Sequence, residues 1–516
     1  MYFFLETRYV YFYELILNNN VNYTMKKITL FLLLSLFTVV TLLAQTYVTP
    51  NTGVTWTLDD IAAASPSTIT ISGDQYSLHE NLEIAENDNI AIDTDLTLSI
   101  DADLLITVFG TLSVNSTEII ITATDQNAPY AGFRFEQSSS IDFTNTTIEY
   151  GGGLRVLTEN FSIDNCTITN NVEGGATTGG VISLSRGTPQ ITNNTITFNA
   201  LPAISAGANN EVSAYIFNNY IEGNNQSNSN RPQINLGITR PADTLKIIQN
   251  TIIGDRSLDM VGGIAVANFF GSSGTILARI DDNTIVDNRY GMNIVGSNSF
   301  AYVTNNVIED NDTQGEPNLG GSGISLNSGS AGMEIIASGN EFRRNLWGIT
   351  VIGEAEINLG DDEDNPGNNV FSENGNGGET YAIYNNTANT LQAKNNCWIE
   401  GEESTEQEVE DVIFHVVDDS ALGEVIFDPY LCGVLSVDEN TVADFSFYPN
   451  PATDHIQFNN RLSFSEITIF NAGGKAVLTQ TISEGTNTIQ TNLPSGVYFV
   501  QFTNNTTSAV KKLIVQ

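Results

Sequence analysis

Acidic side chains come closer than any other group in this sequence to the spacing of a chemical site. Residues 360–367 form the densest acidic loop, bounded by a glycine at each end. Asp361, Asp362 and Asp364 could supply carboxylate oxygens to Ca²⁺, because hard cations take several oxygen ligands from one turn. The spacing matches no EF-hand loop, so a solvated acidic corner is the alternative. Ca²⁺ is the one cofactor that the sequence indicates.

A second acidic pair, Asp281 and Asp282, raises the question of glycosidase chemistry. Two carboxylates share acid and base work on a glycosidic bond when they lie roughly 5–9 Å apart. Adjacent strand residues point to opposite faces, so we do not expect this pair to act together. The three histidines, His79, His415 and His455, are far apart in the sequence. They indicate neither a catalytic triad nor a zinc site, and catalytic residues stay unassigned.

The composition excludes several classes of partner. Lys and Arg number 19 against 60 Asp and Glu, which gives a net charge of −41. Such a charge repels nucleic acid and anionic membranes, and it also suits a soluble surface. Three cysteines cannot make a disulfide-rich scaffold. We expect Cys166 to be a buried thiol, whereas Cys397 and Cys432 could pair in an oxidising compartment.

A repeated β unit must position these groups. Apolar anchor residues recur 20 to 34 residues apart, a period that indicates stacked units. Residues 191–199 show the unit, whose two or three inward side chains are buried only when the next unit stacks on them. The anchors are Ile148, Ile168, Ile196, Ile221, Ile252, Ile285, Ile308, Phe342, Phe371 and Trp398.

Asparagine occupies fixed positions around the anchors. We expect ladders of asparagines between coils, because each amide can bond to its equivalent one coil away and Asn tolerates the left-handed conformation of sharp turns. A ligand-binding role is the alternative. Two positions before the anchor, the structural ladder comprises Asn194, Asn219, Asn250, Asn283, Asn306, Asn340, Asn369 and Asn396. Three positions after it stand Asn171, Asn199, Asn224, Asn288, Asn311, Asn345 and Asn374, with Asp255 as a near match.

Over about residues 70–400 these repeats resemble the right-handed parallel β-helix family, the pectin lyase-like or pectate-lyase-like superfamily. The resemblance implies an all-β fold, a right-handed parallel β-helix solenoid, and the hand also follows the general crossover preference. The family includes pectate lyases, polygalacturonases and other polysaccharide-active enzymes. This sequence lacks the Gly-His-Gly element of polygalacturonases, and no basic residue matches a lyase motif. The resemblance therefore favours a glycan ligand by analogy only.

The N-terminal residues indicate export. Two lysines precede the apolar run 28–43, which predicts a signal peptide at 25–44 after a mis-called extension at 1–24. The run is short for a transmembrane anchor, so we expect no transmembrane segment in the mature chain. The β-helix is expected over 45–433.

Helices are expected near both ends of the solenoid. Thr57 is a candidate N-cap for a short helix near 57–64 that covers the first coil. A Ser-x-x-Gln capping box predicts a second helix near 405–417, in which His415 would pack among apolar neighbours. A linker at 434–444 follows.

After residue 444 the pattern changes to about seven short strands, which predict a small C-terminal β-sandwich at 445–516. Its sequence resembles the type A C-terminal sorting domain of type IX secretion in Bacteroidetes. The resemblance implies export across both membranes and recognition by the outer-membrane secretion machinery, with an ordinary carbohydrate-binding or Ig-like module as the alternative. The matching residues include Pro449, Asn450, Pro451, Gly496, Tyr498, Lys511 and Lys512.

These features predict a secreted or cell-surface protein that acts as a binding or adhesive surface towards polysaccharide. A polysaccharide lyase or glycoside hydrolase on the same solenoid is the first alternative. It requires an Asp or Glu cluster that converges with an Arg or Lys in one groove. A purely structural surface component is the second alternative.

Overall fold

The computed structural model describes residues 45–431 except 178 and 402, and residues 447–516 except 461–463, 472–473 and 505–507. The expected N-terminal extension, signal peptide and linker lie outside these ranges. The chain divides into two compact units. Across the described ranges, no helix has the length and apolar character needed to cross a membrane.

The larger unit is a parallel β-helix, as the repeats predicted. Most coils give one short strand to each of three sheets, and every strand of sheet 1 pairs in parallel with the equivalent strand of the next coil. The strands of sheet 1 are Thr46–Val48, Asn81–Ile84, Leu105–Val108, Gly132–Phe135, Leu154–Val156, Ile182–Leu184, Ile204–Ala206, Ile234–Leu236, Ile264–Ala267, Met292–Val295, Ser322–Ser328, Trp347–Gly353, Ile383–Thr387 and Ile413–Phe414.

Sheets 2 and 3 follow sheet 1 around each coil, and two long strands, Thr111–Ala123 and Ser140–Glu149, bend from sheet 2 into sheet 3. The other strands of sheet 2 are Thr55–Trp56, Asn89–Ile92, Asn160–Asp164, Gln190–Thr192, Tyr215–Phe217, Leu245–Ile248, Ile276–Asp281, Ser299–Thr304, Met333–Ser338, Ile357–Asn358, Leu391–Gln392 and Val425–Ile426. The other strands of sheet 3 are Ile69–Ser72, Gln75–Leu78, Leu96–Ile100, Thr167–Thr169, Thr195–Thr197, Tyr220–Glu222, Thr251–Ile253, Thr284–Val286, Val307–Glu309, Glu341–Arg343 and Val370–Ser372. A small hairpin, Gly375–Asn376 with Glu379–Thr380, projects from a late coil.

The core of the β-helix consists of the inward side chains of the three sheets. Each of the ten anchors is at most 1% exposed. The last three anchors stack as rings, with centroids 5.0 Å apart between Phe342 and Phe371 and 4.9 Å apart between Phe371 and Trp398. Burial of one such column requires the neighbouring coils, which is why a single unit could not fold alone.

The corners between sheets 2 and 3 place the left-handed residue one position before the ladder asparagine. Asn193 has φ +58° and precedes Asn194, and Gln249 with φ +58° precedes Asn250. The same arrangement holds at Asn305 before Asn306. The expectation that the ladder asparagine itself takes the left-handed conformation is therefore wrong for these corners. The preceding residue makes the turn, and the side chain of the ladder asparagine points inward.

Glycines at the start of sheet 1 strands allow neighbouring coils to approach closely. A Cβ added at Gly291 would lie 2.5 Å from the carbonyl oxygen of Gly323, and one added at Gly323 would lie 2.6 Å from that of Gly348. Neither distance accommodates a side chain. Glycine is therefore required at both positions by the stacking of backbones.

Helices lie at the two ends of the β-helix. Leu58–Ala64 begins at a capping box in which Thr57 and Asp60 exchange hydrogen bonds. The second helix, Glu406–Glu410, is much shorter than the predicted span 405–417, because Ile413–Phe414 joins the open edge of sheet 1 instead. A 3-10 turn, Gly271–Ser273, is the remaining helical element of the described chain.

The smaller unit is built from two antiparallel sheets around one apolar core. Phe447–Tyr448, His455–Asn460 and Gly485–Gln490 form the first sheet, and Ala476–Thr481, Glu466–Asn471, Gly496–Thr503 and Ser508–Val515 form the second. Phe458, Ile467, Ile469, Val500 and Phe502 are buried between them.

Candidate functional site

The eight predicted ladder asparagines form one continuous chain of hydrogen bonds inside the β-helix. The Nδ2 atom of each residue from Asn194 to Asn369 donates to the Oδ1 atom of the next, at 2.9–3.0 Å. Each Oδ1 also accepts the backbone N–H of the residue below, as Asn306 Oδ1 does from Asn283 at 3.0 Å. All eight are buried. Because their amide groups are buried and bonded to one another, these asparagines are not available to a ligand.

A second ladder contains a residue that the sequence pattern did not identify. It runs from Asn171 through Asn199 and Asn224, then continues through Gln233 to Asn288. Gln233 thus fills the position that the repeat assigned to Asp255, which lies outside the ladder and caps Ser257 instead. Asn311, Asn345 and Asn374 complete the ladder.

The acidic loop uses its carboxylates on the protein itself. Asp361 Oδ1 accepts the backbone N–H groups of Glu363, Asp364 and Asn365 at 2.8–3.0 Å. Hydrogen bonds from Asn365, first, and from the Asn358 amide lower the pKa of Asp361 to about 2. Asp362 forms an ion pair with Lys394, and Asp364 is exposed. The three carboxylates are therefore not gathered around a common centre, and the described residues hold no cluster of three metal-ligating side chains.

The remaining candidates for chemistry are separated in the structure. Asp281 is buried, and although burial raises its pKa, hydrogen bonds from Thr304 and then Arg279 leave that pKa below its usual range. Asp282 occupies a left-handed corner with φ +56°. His415 follows a strand, so the helical position expected for it is wrong. Its Nδ1 accepts the Val425 N–H, which places the proton on Nε2 towards Glu410.

A groove on the outer face of sheet 1 has a volume of about 610 Å³. Its floor is a row of outward side chains contributed by successive coils, because residues in register on a parallel sheet share one face. The pairing places Asn293 between Ala265 and Ser325. In order along the floor the row is Asn235, Ala265, Asn293, Ser325, Thr350 and Tyr384.

The walls of the groove are loops that precede the sheet 1 strands. Arg289 holds two of them, since its guanidinium donates to the Leu319 carbonyl oxygen at 2.9 Å and to Asn230 Oδ1 at 2.5 Å. The indole N–H of Trp347 donates to the Pro317 carbonyl oxygen at 2.9 Å. Phe269, 69% exposed, also lines the groove. Hydrogen bonds of Arg289 and Trp347 therefore fix the loops that form the walls.

Aromatic rings gather at one end of the groove. The ring centroids of Trp347 lie 4.6 Å from Tyr381 and 5.1 Å from Tyr384. Tyr384 stacks on Phe414 with centroids 4.8 Å apart. All four rings are half-buried, and two of them, Trp347 and Tyr384, line the groove.

The described lining of the groove is rich in amides and poor in charge. Its described lining includes five asparagines and one charged side chain, Arg289, and neither Asp nor Glu. In the middle of the floor, Asn293 Oδ1 is shielded from solvent and receives no hydrogen bond from any described group.

Cys166 and Cys397 belong to the described residues. Cys166 is buried, and burial is the main cause that raises its pKa to about 12. Cys432 lies outside the described residues, so its pairing with Cys397 stays a prediction.

In the smaller unit, Asn450 of the predicted sorting motif is bonded to the last strand. Its amide donates to the Lys512 carbonyl oxygen and accepts the Ile514 N–H, both at 2.8 Å.

The other residues of the predicted motif lie beside Asn450 or on the two last strands, Gly496–Thr503 and Ser508–Val515. Pro449 and Pro451 flank Asn450, and Gly496 opens the strand Gly496–Thr503. Tyr498 donates its hydroxyl to the Pro494 carbonyl oxygen at 2.8 Å. Lys511 and Lys512 are exposed on the last strand.

Residues 446–516 match the family model of the secretion system C-terminal sorting domain. This match confirms the resemblance to a type IX sorting domain and implies a Bacteroidetes source. The chain is exported by type IX secretion, whose machinery is its partner, and it is released or attached to the outer cell surface. No curated protein matches the chain, and no solved structure matches it.

Proposed function

We propose that this secreted or cell-surface protein binds polysaccharide, and that the groove on sheet 1 is the binding site. The observation that carries the proposal is the combination of half-buried aromatic rings at Trp347 and Tyr384 with a floor of amide and hydroxyl side chains. Tyrosine and tryptophan offer large, rigid, amphipathic contact surfaces. The rings suit the C–H faces of a sugar, while Asn and Ser suit its hydroxyl groups.

The shape of the groove supports a polymer as the ligand. The floor extends across six successive strands of sheet 1, from Asn235 to Tyr384, and strands of one sheet are about 4.8 Å apart. A ligand that used the whole floor would therefore be about 24 Å long, several times the size of one monosaccharide. A concave site with an apolar surface and few oriented polar groups is the usual form of a binding pocket.

The charges of the groove favour binding over turnover. A glycoside hydrolase needs two carboxyl groups flanking the scissile bond, and the predicted lyase alternative needs acidic groups beside a basic one. No Asp or Glu belongs to the described lining. Asp361, the centre of the acidic loop, lies between a sheet 2 strand and a sheet 3 strand, and it accepts hydrogen bonds from its own loop.

Affinity electrophoresis of the purified secreted protein, in gels that contain single polysaccharides, tests the proposal. We expect wild type to be retarded by at least one glycan, and Tyr384→Ala to reduce that retardation at least about fivefold, because the stacking surface shared with Trp347 is lost. Tyr302→Ala is the matched control, since Tyr302 is 57% exposed on sheet 2. Equal retardation of the two variants, or no retardation of wild type by any glycan, would overturn the proposal.

A further inference from the structure

The sequence contains two Asn–Gly pairs, Asn374–Gly375 and Asn376–Gly377, within four consecutive residues. Asparagine is a thermolabile residue, because the backbone nitrogen of the next residue can attack its side-chain carbonyl carbon. Glycine in the next position favours this attack, since it has no Cβ and its backbone is the most mobile. Both pairs are therefore suited to the same reaction by sequence, and only the structure distinguishes them.

Asn374 is held against this reaction. It is a buried residue of the second ladder, 1% exposed. Its Oδ1 atom accepts two hydrogen bonds from Asn345, and its Nδ2 atom donates to the Phe342 carbonyl oxygen at 2.8 Å. The nitrogen that would attack, that of Gly375, donates its own N–H to the Asn345 carbonyl oxygen at 2.9 Å. The attack requires buried hydrogen bonds of the β-helix to break, which opposes it.

Asn376 lies in the small hairpin, Gly375–Asn376 with Glu379–Thr380. Its side chain is half-buried and makes one hydrogen bond, from Nδ2 to the Leu346 carbonyl oxygen at 2.8 Å. Gly377 is exposed at the turn with φ +61°, and its N–H donates to no described group. A hairpin of two residue pairs is marginally stable, so it opens locally at low cost. The attacking nitrogen is therefore free, and one hydrogen bond holds the side chain that it attacks.

We propose that Asn376 is a site of spontaneous deamidation in the exported protein, whereas Asn374 stays intact. The Gly377 nitrogen loses its proton to solvent and forms a bond to the Asn376 Cγ atom, and the side-chain nitrogen leaves as ammonia. Water then opens the cyclic succinimide at either of its two carbonyl carbons. One opening gives aspartate and the other isoaspartate, so one water is consumed and one carboxylate is gained. The inference does not depend on the proposed function.

Deamidation changes the contacts of the hairpin. Both products lack the Nδ2 donor that bonds to Leu346, and the aspartate product lies opposite Glu379 across the two strands. Like charges opposite each other on antiparallel strands are destabilising. The isoaspartate product also adds a backbone atom, which shifts the register of the strand. The hairpin is therefore released from Leu346, which directly precedes the groove residue Trp347.

Incubation of the secreted protein at mildly alkaline pH, followed by digestion and tandem mass spectrometry, tests the inference. Fragment ions separate the two asparagines, and the mass gain of deamidation identifies each product. In the folded protein, conversion of Asn376 should be at least about tenfold faster than conversion of Asn374, because it requires only the opening of the hairpin. In guanidinium, which unfolds the chain, the two rates should be similar. Asn376→Gln keeps an amide at this position and should abolish its conversion.

The outcomes decide between a structural cause and a sequence cause. Preference for Asn376 in the folded chain alone supports the inference. Similar rates in the folded chain, or faster conversion of Asn374, overturn it. Absence of product at Asn376 over the time in which half of the unfolded chain reacts also overturns it.

A glutamate-specific protease tests the release of the hairpin, because Glu379 is exposed on its second strand. Asn376→Asp, which carries the aspartate product, should be cleaved after Glu379 at least about threefold faster than wild type. Asn376→Gln is the matched control and should be cleaved at the wild-type rate. Equal cleavage of the two variants would show that the hairpin stays in place after deamidation, and it would overturn this consequence.

Discussion

Asn224 and Gln233 are nine residues apart in the sequence, yet the Nδ2 atom of Asn224 donates to Gln233 Oε1 at 3.1 Å as though they belonged to neighbouring coils. Gln233 then donates to Asn288 Oδ1 at 3.2 Å and to the Ile253 carbonyl oxygen at 2.8 Å. A residue from the loop that precedes a sheet 1 strand therefore replaces a missing ladder residue of the repeat.

Replacement of Gln233 should destabilise the chain more than replacement of Asp255. In Gln233→Leu the Asn224 amide loses its acceptor, and Asn288 Oδ1 loses a donor. We expect the free energy of unfolding to fall by about 2–4 kcal/mol. Asp255→Asn leaves the ladder untouched and should change that free energy by less than about 1 kcal/mol. Urea unfolding followed by circular dichroism measures both. Equal effects would mean that Gln233 contributes nothing through the ladder.

The middle of the first ladder should be more sensitive than any exposed asparagine. Asn306→Ala leaves the Asn283 N–H without its acceptor, and it removes one hydrogen bond from the Asn283 amide and one of the two donors from Asn340 Oδ1. We expect a loss of about 2–4 kcal/mol, because the buried Asn283 N–H stays unsatisfied and three further buried hydrogen bonds of the Asn306 side chain are lost. Asn209→Ala, at an exposed position, is the control. A midpoint for Asn306→Ala within error of this control would contradict the account.

Cys166 stands where the first ladder should begin, and an asparagine there should extend it. Asn194 Oδ1 already accepts the Cys166 N–H at 2.9 Å, and the Thr146 N–H approaches Cys166 Sγ at 3.4 Å. Cys166→Asn should raise the free energy of unfolding by about 1 kcal/mol, since the new amide donates to Asn194 and accepts from Thr146. A loss of more than about 1 kcal/mol in urea unfolding would show that this coil cannot accommodate the ladder.

The acidic loop makes a contribution to stability that depends on pH. The folded-state pKa of Asp361 is about 2, below the ordinary value near 3.8 of an unfolded aspartate. Its contribution is therefore complete above the ordinary pKa and disappears as the pH falls towards 2. Asp361→Asn should lose less stability between pH 4.5 and 2.5 than wild type, whereas the exposed Asp364→Asn should follow wild type. Identical pH dependence in Asp361→Asn and wild type would refute this role.

The sequence predicts the solenoid well because its constraints are local and repeated. Each anchor, with an asparagine two positions earlier, marks one corner, so period and strand type follow from spacing alone. The pattern misplaces the left-handed residue by one position, because Asn193 and Asn194 are both asparagines and it does not distinguish their roles. Gln233 was missed because its distance from the anchors differs from that of every other ladder residue.

The groove could not be predicted from the sequence. Asn235 and Tyr384 are 149 positions apart in the sequence and reach one face only after six coils have stacked in register. The repeat pattern identifies inward residues, whereas the groove depends on outward ones, which vary freely from coil to coil. The acidic loop attracted the metal hypothesis because charge density is visible in a sequence, while backbone partners such as the Asn365 N–H are not.

The tryptophan fluorescence of the secreted protein during titration with its preferred polysaccharide tests the central claim most directly. Trp347 lines the groove, whereas Trp398 is buried in the core and Trp56 belongs to the first coil. We predict a saturable change in emission for wild type and its loss in Trp347→Phe, which retains an aromatic ring. Polysaccharide that binds without altering the emission, or that alters it equally in Trp347→Phe, would contradict the assignment of the groove as the binding site.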